Sequence, residues 1–428
     1  MKKSFLLLLI VASSATYGQK ALKIITVEET ERIEKMLSSD AMEGRRTFSP
    51  GIEKAASFIA SEFEKTGLQK FNNANSYLQS FAMIKAKPTK QTIVLDGAEI
   101  DAKKILILSP KASVNATEKS GYQIVKIAKG MNFATEVRKL LSSPKNTIVI
   151  ADSSHTGMFG RFSQMRNQMF STQPNVVMVL ASEMPKTFTI QASQEITEMP
   201  LANVVGVLPG KSKPNEIVIF SGHYDHLGID SRRMVNNDSI YNGANDDAAG
   251  TTAMIMLSKY YKKLNDNERT IIFAAFTAEE VGGFGAQHFS RQFDPASVVA
   301  MFNIEMIGTE SKWGKNSAYI TGFEKTDMGA ILQKNLNNTG FTFHPDPYTD
   351  QNLFYRSDNA TLARLGVPAH TISTSKMDSE ANYHKASDEI GTLDLENMTA
   401  IIRSIALSAK GIVSGKDTPT RVDTSTLK

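Results

Sequence analysis

Between Glu216 and Phe220 the chain carries a short apolar run, and directly after it, from Ser221 to Gly250, come His223, Asp225, Asp246 and Asp247 set among glycines. The run has the length and texture of a buried strand, and a helical pattern starts at Ala248. Discharging a buried strand into imidazoles and carboxylates does nothing for stability, because buried charge costs free energy unless it is compensated. It is good design for a metal site. The chain has no cysteine, so thiolate ligands and disulfides are impossible and any metal must be held by His, Asp and Glu. This loop therefore looks like one half of a two-zinc hydrolytic centre, the other half coming from downstream.

Downstream of Pro200 strands and helices alternate. Apolar runs at 202–208, 216–220, 270–276, 298–304 and 368–373 read as strands; 248–264, 283–293, 327–336, 359–365 and 395–413 read as helices. Such alternation predicts an α/β fold with a mostly parallel sheet. Two more helices are expected upstream. Val27, Ile33, Met36 and Leu37 share one face of the first, and the second starts at Ser49-Pro50-Gly51 and closes at Gly67. Residues 86–199 differ: short β-rich runs and one or two helices, with the lone His155 and no titratable cluster, predict an inserted β-rich α+β module. The expected divisions are a signal peptide (1–18), the start of the catalytic domain (19–85), the insert (86–199), the rest of the catalytic domain (200–414) and a polar, disordered tail (415–428).

Placed on those elements, the polar residues converge. His223 and Asp225 follow one strand, Glu279 and Glu280 a second, Glu305 ends a third, and His384 lies beyond a fourth. Open α/β sheets bind ligands at the carboxyl ends of their strands. Taken singly, each residue has a plainer role: Asp246-Asp247 as a helix cap, Glu279-Glu280 as an acidic helix start. Together, in order, they point to a site. The N-terminal MKKSFLLLLIVASSATYG has the basic start, apolar run and small residues of a secretory signal, too short to span a bilayer. With no second long apolar segment, a periplasmic or secreted protein without a membrane anchor is expected. The formal charge of +4, with a single Trp313 and no aromatic-basic interleaving, gives no reason to expect a nucleic-acid partner. Nor does a Gly-x-Ser-x-Gly elbow accompany the histidines.

These blocks resemble the co-catalytic zinc aminopeptidases of metallopeptidase family twenty-eight, which also holds glutamate carboxypeptidases and glutaminyl cyclases. The resemblance covers 36–81, with Leu37-Ser-Ser-Asp-Ala-Met-Glu-Gly-Arg45, and 202–408. It implies a three-layer α/β sandwich around a mixed sheet, two zinc ions and peptide substrates. It also implies that His223, Asp246 and Glu305 hold one zinc and Asp246, Glu280 and His384 the other, with Asp246 bridging. Asp225 would orient the ligand His223, Glu279 would act as general base, and Tyr383 would be an oxyanion donor. Two positions depart from the pattern. Glu305 stands where the family has Asp, adding about 1.5 Å of reach that would displace or weaken the first zinc, and Ser357-Asp-Asn359 replaces Ser-Asp-His. A single-zinc cyclase-like acyltransferase, or a carboxypeptidase of the same fold, is the alternative; the oligomeric state is left open.

Overall fold

The computed structural model describes residues 21–426 except 142, 166 and 167, so the expected signal peptide lies outside the described residues. The chain forms two compact units, one from residues up to 80 together with those from 202 onward, the other from 81–201.

The larger unit is built on a mixed sheet of β1 (Phe188–Leu208), β2 (Lys213–His223), β3 (Arg269–Phe276), β4 (Val298–Ile304), β5 (Ser317–Ile320), β6 (Thr342–Pro345) and β7 (Ala369–Ser373). Their order across the sheet is β6-β5-β7-β4-β2-β3-β1. At its centre β7, β4, β2 and β3 run parallel. At one side β1 is antiparallel to β3; at the other β5 is antiparallel to β7 and parallel to β6. The central strands are apolar on both faces because both faces are covered. Val218, Phe220, Ile271 and Phe273 point into one core with helices α1 (Val27–Leu37), α2 (Pro50–Thr66), α3 (Ala249–Leu264), α5 (Met328–Asn335) and α7 (Leu395–Ser408). Ile219, Ile272, Ala274 and Phe276 point into the other, against α4 (Phe284–Ser290) and α6 (Asn359–Ala363). The period-2 alternation of strand side chains thus sorts one continuous apolar run into two cores. Phe220 sits in the middle, its ring 4.8 Å from that of Phe302 and 5.4 Å from that of Tyr261. Burying a side chain of this kind is worth about 1.5–3 kcal/mol.

The smaller unit holds a four-stranded sheet in the order Ile105–Leu108, Val176–Leu180, Thr147–Ala151, Gln123–Ile127. The last three are parallel, joined by helices Phe133–Leu141 and Thr156–Met165, so β-α-β crossovers form part of the insert expected to be β-rich. The sequence-drawn edges at 86 and 199 fall inside the long strands Leu78–Leu95 and Phe188–Leu208, where composition has no reason to change.

Two further expectations are corrected. Strands β5 and β6, four residues each, are too short to show a period and were not expected. The tail beyond Gly415 is ordered by the fold rather than free. Buried Arg269 donates to the carbonyls of Ile412 and Asp417 and to the Thr418 hydroxyl, and Val422 is buried in the second core. A polar composition hides this, because the partners of the tail, Arg269, Asp327 and Asn335 among them, are far away in sequence. Among the described residues no helix is long and apolar enough to cross a membrane.

Candidate metal centre

Because β2, β3, β4 and β7 are parallel, their carboxyl ends share one edge of the sheet. His223 is the last residue of β2, Glu279 and Glu280 follow β3, Glu305 follows β4, and the chain after β7 leads to Tyr383 and His384. Asp246 comes from a wide turn over Ala244–Ala248, whose Asp246–Asp247 peptide is cis. One donor atom each from His223, Asp246 and Glu305 lie within 4.8 Å of one another, and so do those of His226, Asp246 and Glu280. His223 Nε2 is 3.2 Å from Asp246 Oδ1. On the other side of the same carboxylate, His384 Nε2 is 3.3 Å from Asp246 Oδ2 and 3.2 Å from Glu280 Oε2. Asp246 therefore offers one oxygen to each group. Glu305, with its extra methylene, still reaches its group.

A second set of residues fixes these positions. Asp247, fully buried, accepts from the backbone N–H groups of His223 (3.1 Å), Gly250 (3.0 Å) and Met306 (3.1 Å), tying β2, α3 and the end of β4 together. Gly222 and Gly250 leave the room: a Cβ on Gly250 would lie 2.5 Å from both Asp247 oxygens. Asp388 accepts from the N–H groups of Asn245 (2.8 Å) and Asp246 (3.0 Å). Arg45, from the Glu-Gly-Arg stretch, is buried and donates to the carbonyls of Tyr224, Leu37, Asn242 and Gly243, joining the loop after β2 to the turn before Asp246. Asp225 works differently from expectation. It is its main-chain carbonyl that meets His223 Nδ1, at 3.1 Å, with the carboxylate 3.7 Å away. That carboxylate instead accepts from Glu279 N (3.0 Å), Glu280 N (3.3 Å) and the Thr47 hydroxyl (3.1 Å). One aspartate thus sets both the imidazole and the paired glutamates.

The electrostatics call for cations. Asp225, Asp246, Asp247, Glu279, Glu280, Glu305 and Asp358 interact around this one centre. Burial, reinforced by neighbouring carboxylates, pushes Asp247 and Glu279 well above the usual carboxylate range, and Asp358 to about 8. Burial also opposes charge on the imidazoles, yet the carboxylates of Asp246 and Glu280 outweigh it and raise His384 to about 10. Burial likewise works against ionised Asp246, but the adjacent imidazoles of His223 and His384 hold it below the ordinary value. Carboxylates packed this closely cannot all ionise without compensating positive charge. Buried His223 Nε2 and Asp246 Oδ2 make no hydrogen bond, which is what donor atoms reserved for an ion look like. Imidazole nitrogen plus carboxylate oxygen is a donor set that suits zinc.

Every residue singled out in the sequence lies at this edge. Tyr383 stacks on His384 with ring centroids 4.0 Å apart and, with Glu305, Met306, Tyr319, Arg356 and Met377, lines a cavity. Three residues were missed. His226, three positions after His223, is buried with Nδ1 2.8 Å from Glu280 Oε1; its place in the same strand-end loop was the signal. Asp247 was noted in the metal-site loop, but its only specific role there was a helix cap. Asp358, beside the noted Ser357, is buried with neither carboxylate oxygen hydrogen-bonded, a fact no local pattern announces.

The family model that matches is peptidase family M28, over residues 203–409. A probable zinc metalloprotease of Pyrenophora teres f. teres (strain 0-1) is 26% identical over 185 residues, 42% of this chain and 37% of that protein. Aminopeptidase YwaD of Bacillus subtilis (strain 168) is 30% identical over 136 residues, 31% of this chain and 25% of that protein. The matches thus span between a quarter and little more than a third of these relatives. Among solved structures, an aminopeptidase from Aneurinibacillus sp. strain AM-1 superposes with a TM-score of 0.55 at 16% identity, covering 96% of this chain and 98% of that one, a likeness of fold. The stretch from 203 to 409, which supplies every donor of the two groups around Asp246, is the part of the chain that matches the model of peptidase family M28.

Proposed function

We propose that this chain is a zinc-dependent exopeptidase that removes N-terminal residues from peptides with a free α-amino group, and that it works outside the cytoplasm after export. The observation that carries the proposal is the sharing of Asp246 between two donor groups, with Glu279 beside them and in neither. His223, Asp246 and Glu305 would hold one zinc, and Asp246, Glu280 and His384 the other. Zinc bound there supplies Lewis-acid polarisation of the scissile carbonyl and eases deprotonation of the attacking water. Glu279 takes that proton and passes it to the leaving amine, a task suited to a carboxylate whose affinity for protons is raised by burial. The Asp225 carboxylate holds the Glu279 backbone in place. Tyr383, alongside Glu305 at the cavity, is placed to donate its hydroxyl to the oxygen that gains charge. The surplus of carboxylates favours a substrate end that brings positive charge, which is the α-ammonium of a peptide rather than its carboxylate. A complete group around His223 argues against a reaction that uses a single metal.

Purified protein should contain two zinc ions per chain, hydrolyse aminoacyl-p-nitroanilides, and lose cleavage of a peptide library when the amino termini are blocked. Undiminished cleavage of blocked peptides would overturn the aminopeptidase direction. Export rests on the stretch up to Gly18; recovery of the protein only in the cytoplasm, with Met1-Lys2-Lys3 intact, would overturn it.

A further inference from the structure

His226 is the third imidazole of the centre and has no role so far. Its side chain is fully buried. The backbone holds it, the His226 N–H donating to the Arg45 carbonyl at 3.2 Å. Gly243, at φ +56°, closes over the ring: a Cβ there would lie 2.5 Å from His226 Cδ2 and 2.6 Å from Cγ. Ring and glycine are fitted to each other, so the imidazole has one place to be. From there Nδ1 reaches Glu280 Oε1 at 2.8 Å and stands 3.9 Å from Asp246 Oδ2.

Distances separate two possible roles. Two donors on one zinc, each about 2.0–2.2 Å from it at near-tetrahedral angles, stand roughly 3.3–3.6 Å apart. His384 Nε2 meets that spacing, 3.2 Å from Glu280 Oε2 and 3.3 Å from Asp246 Oδ2. The 2.8 Å between His226 and Glu280 is instead a hydrogen-bond distance. An anionic ligand carboxylate can only accept, so Nδ1 carries the proton.

We infer that His226 is a positioning residue for the second metal: its Nδ1–H occupies Glu280 Oε1, leaves Oε2 alone to face the ion and His384, and so holds Glu280 as a one-oxygen ligand. The inference rests on the two-zinc assignment above. It reverses the common arrangement in which a carboxylate steadies a ligating imidazole; here the imidazole steadies the carboxylate. By keeping Glu280 to one oxygen and staying off the metal itself, His226 preserves an open coordination position, which a fourth protein ligand would close.

The test is zinc titration of the full chain stripped of metal, with His226→Ala and His226→Asn beside the parent. An asparagine amide nitrogen falls near the place of Nδ1 and keeps the donor. Expected is a 10–100-fold loss of affinity for the second zinc in H226A, a first zinc changed less than twofold, and recovery of most of the loss in H226N. Cobalt-substituted H226N should keep the parent's absorption spectrum. Equal second-zinc affinity in H226A and the parent would overturn the inference while leaving the two-zinc assignment standing. A cobalt spectrum in H226N showing one nitrogen ligand fewer would overturn it in favour of direct ligation. If H226A does not fold, the asparagine variant still decides, because full loss of the second zinc there contradicts a donor role. A parent chain that takes up only one zinc would instead bring down the two-metal assignment itself.

Discussion

The two sides of Asp246 are built on different terms. On one side His223 is 1% exposed and ends a central strand, its ring steadied by the Asp225 carbonyl and its backbone by Asp247 and Thr251. On the other, the His384 side chain is 36% exposed and sits on a loop with φ +55°. The first side is a continuation of the core; the second is a surface loop brought up to meet it, with buried His226 behind. The contrast shows how one bridging carboxylate can join a rigid half-site to an accessible one. The side of His384, with Tyr383 stacked on its ring, is the one that faces solvent.

The largest effect should come from the residue that belongs to neither side. Glu279→Gln removes the proton acceptor and keeps the shape, so kcat should fall about 10²–10⁴-fold with both zinc ions retained. Metal analysis beside steady-state kinetics checks this. Retained turnover would take Glu279 out of the base role, and lost zinc would move it into the ligand set.

The asymmetry itself can be tested by removing one imidazole from each side. His223→Ala leaves a hole under buried carboxylates and strands Asp246 without its imidazole neighbour, while the backbone N–H that Asp247 accepts from stays. It should lose the first zinc and lower Tm by roughly 5 °C or more. His384→Ala opens onto solvent, so it should cost the second zinc about 100-fold or more in affinity while Tm of the metal-free protein barely moves. Equal thermal losses would mean that the two sides are equally part of the core.

Legibility in the sequence followed the same divide. The central strands were readable because burial on both faces makes them continuous apolar runs, and His223, Glu279, Glu280 and Glu305 drew attention because they stand at or directly after the ends of those runs. His226 and Asp247 were not, although both lie in the same loop. A histidine that bonds to a ligand and one that ligates have identical sequence surroundings, and only the 2.8 Å against 3.2 Å spacing separates them. Asp247 looks like a helix cap locally; its partners, His223 and Met306, are 24 and 59 residues away. The tail escaped for a similar reason. Its anchor is Arg269, whose burial nothing in the polar stretch after Gly415 announces. What depends on long-range hydrogen bonds between polar residues leaves no periodic trace.

A pH dependence should distinguish the strand beneath the open side from the rest. His370, on β7, is 1% exposed, with Nδ1 at the Thr321 carbonyl (2.8 Å) and Nε2 at the Thr326 hydroxyl (2.8 Å). Burial lowers it from 6.5 to about 4. The unfolded chain therefore binds this proton more readily than the folded one between those values. Stability is full above pH 6.5 and is lost as pH falls through 4, by about 3 kcal/mol in all. Urea unfolding at pH 7 and pH 4.5 should show a smaller pH-dependent loss in His370→Asn than in the parent. The same loss in both would place the acid sensitivity elsewhere.

The smallest effect, and the sharpest probe of the rigid side, is Glu305→Asp. The backbone there has no freedom to compensate: the Glu305 N–H donates to the Ile372 carbonyl at 3.1 Å, and the next N–H, of Met306, donates to Asp247. Shortening the side chain by one methylene withdraws the carboxylate by about 1.5 Å, nearly the difference between ligation and none. If the centre is shaped around glutamate, E305D should weaken the first zinc about tenfold, leave the second within twofold, and lower kcat/KM in proportion to first-site occupancy. Excess zinc should then restore most of the activity. Tighter first-site binding in E305D would show instead that Glu305 holds the ion off its best position. The rigid side would then be the one whose metal is set loosely, and the contrast with the His384 side would reverse.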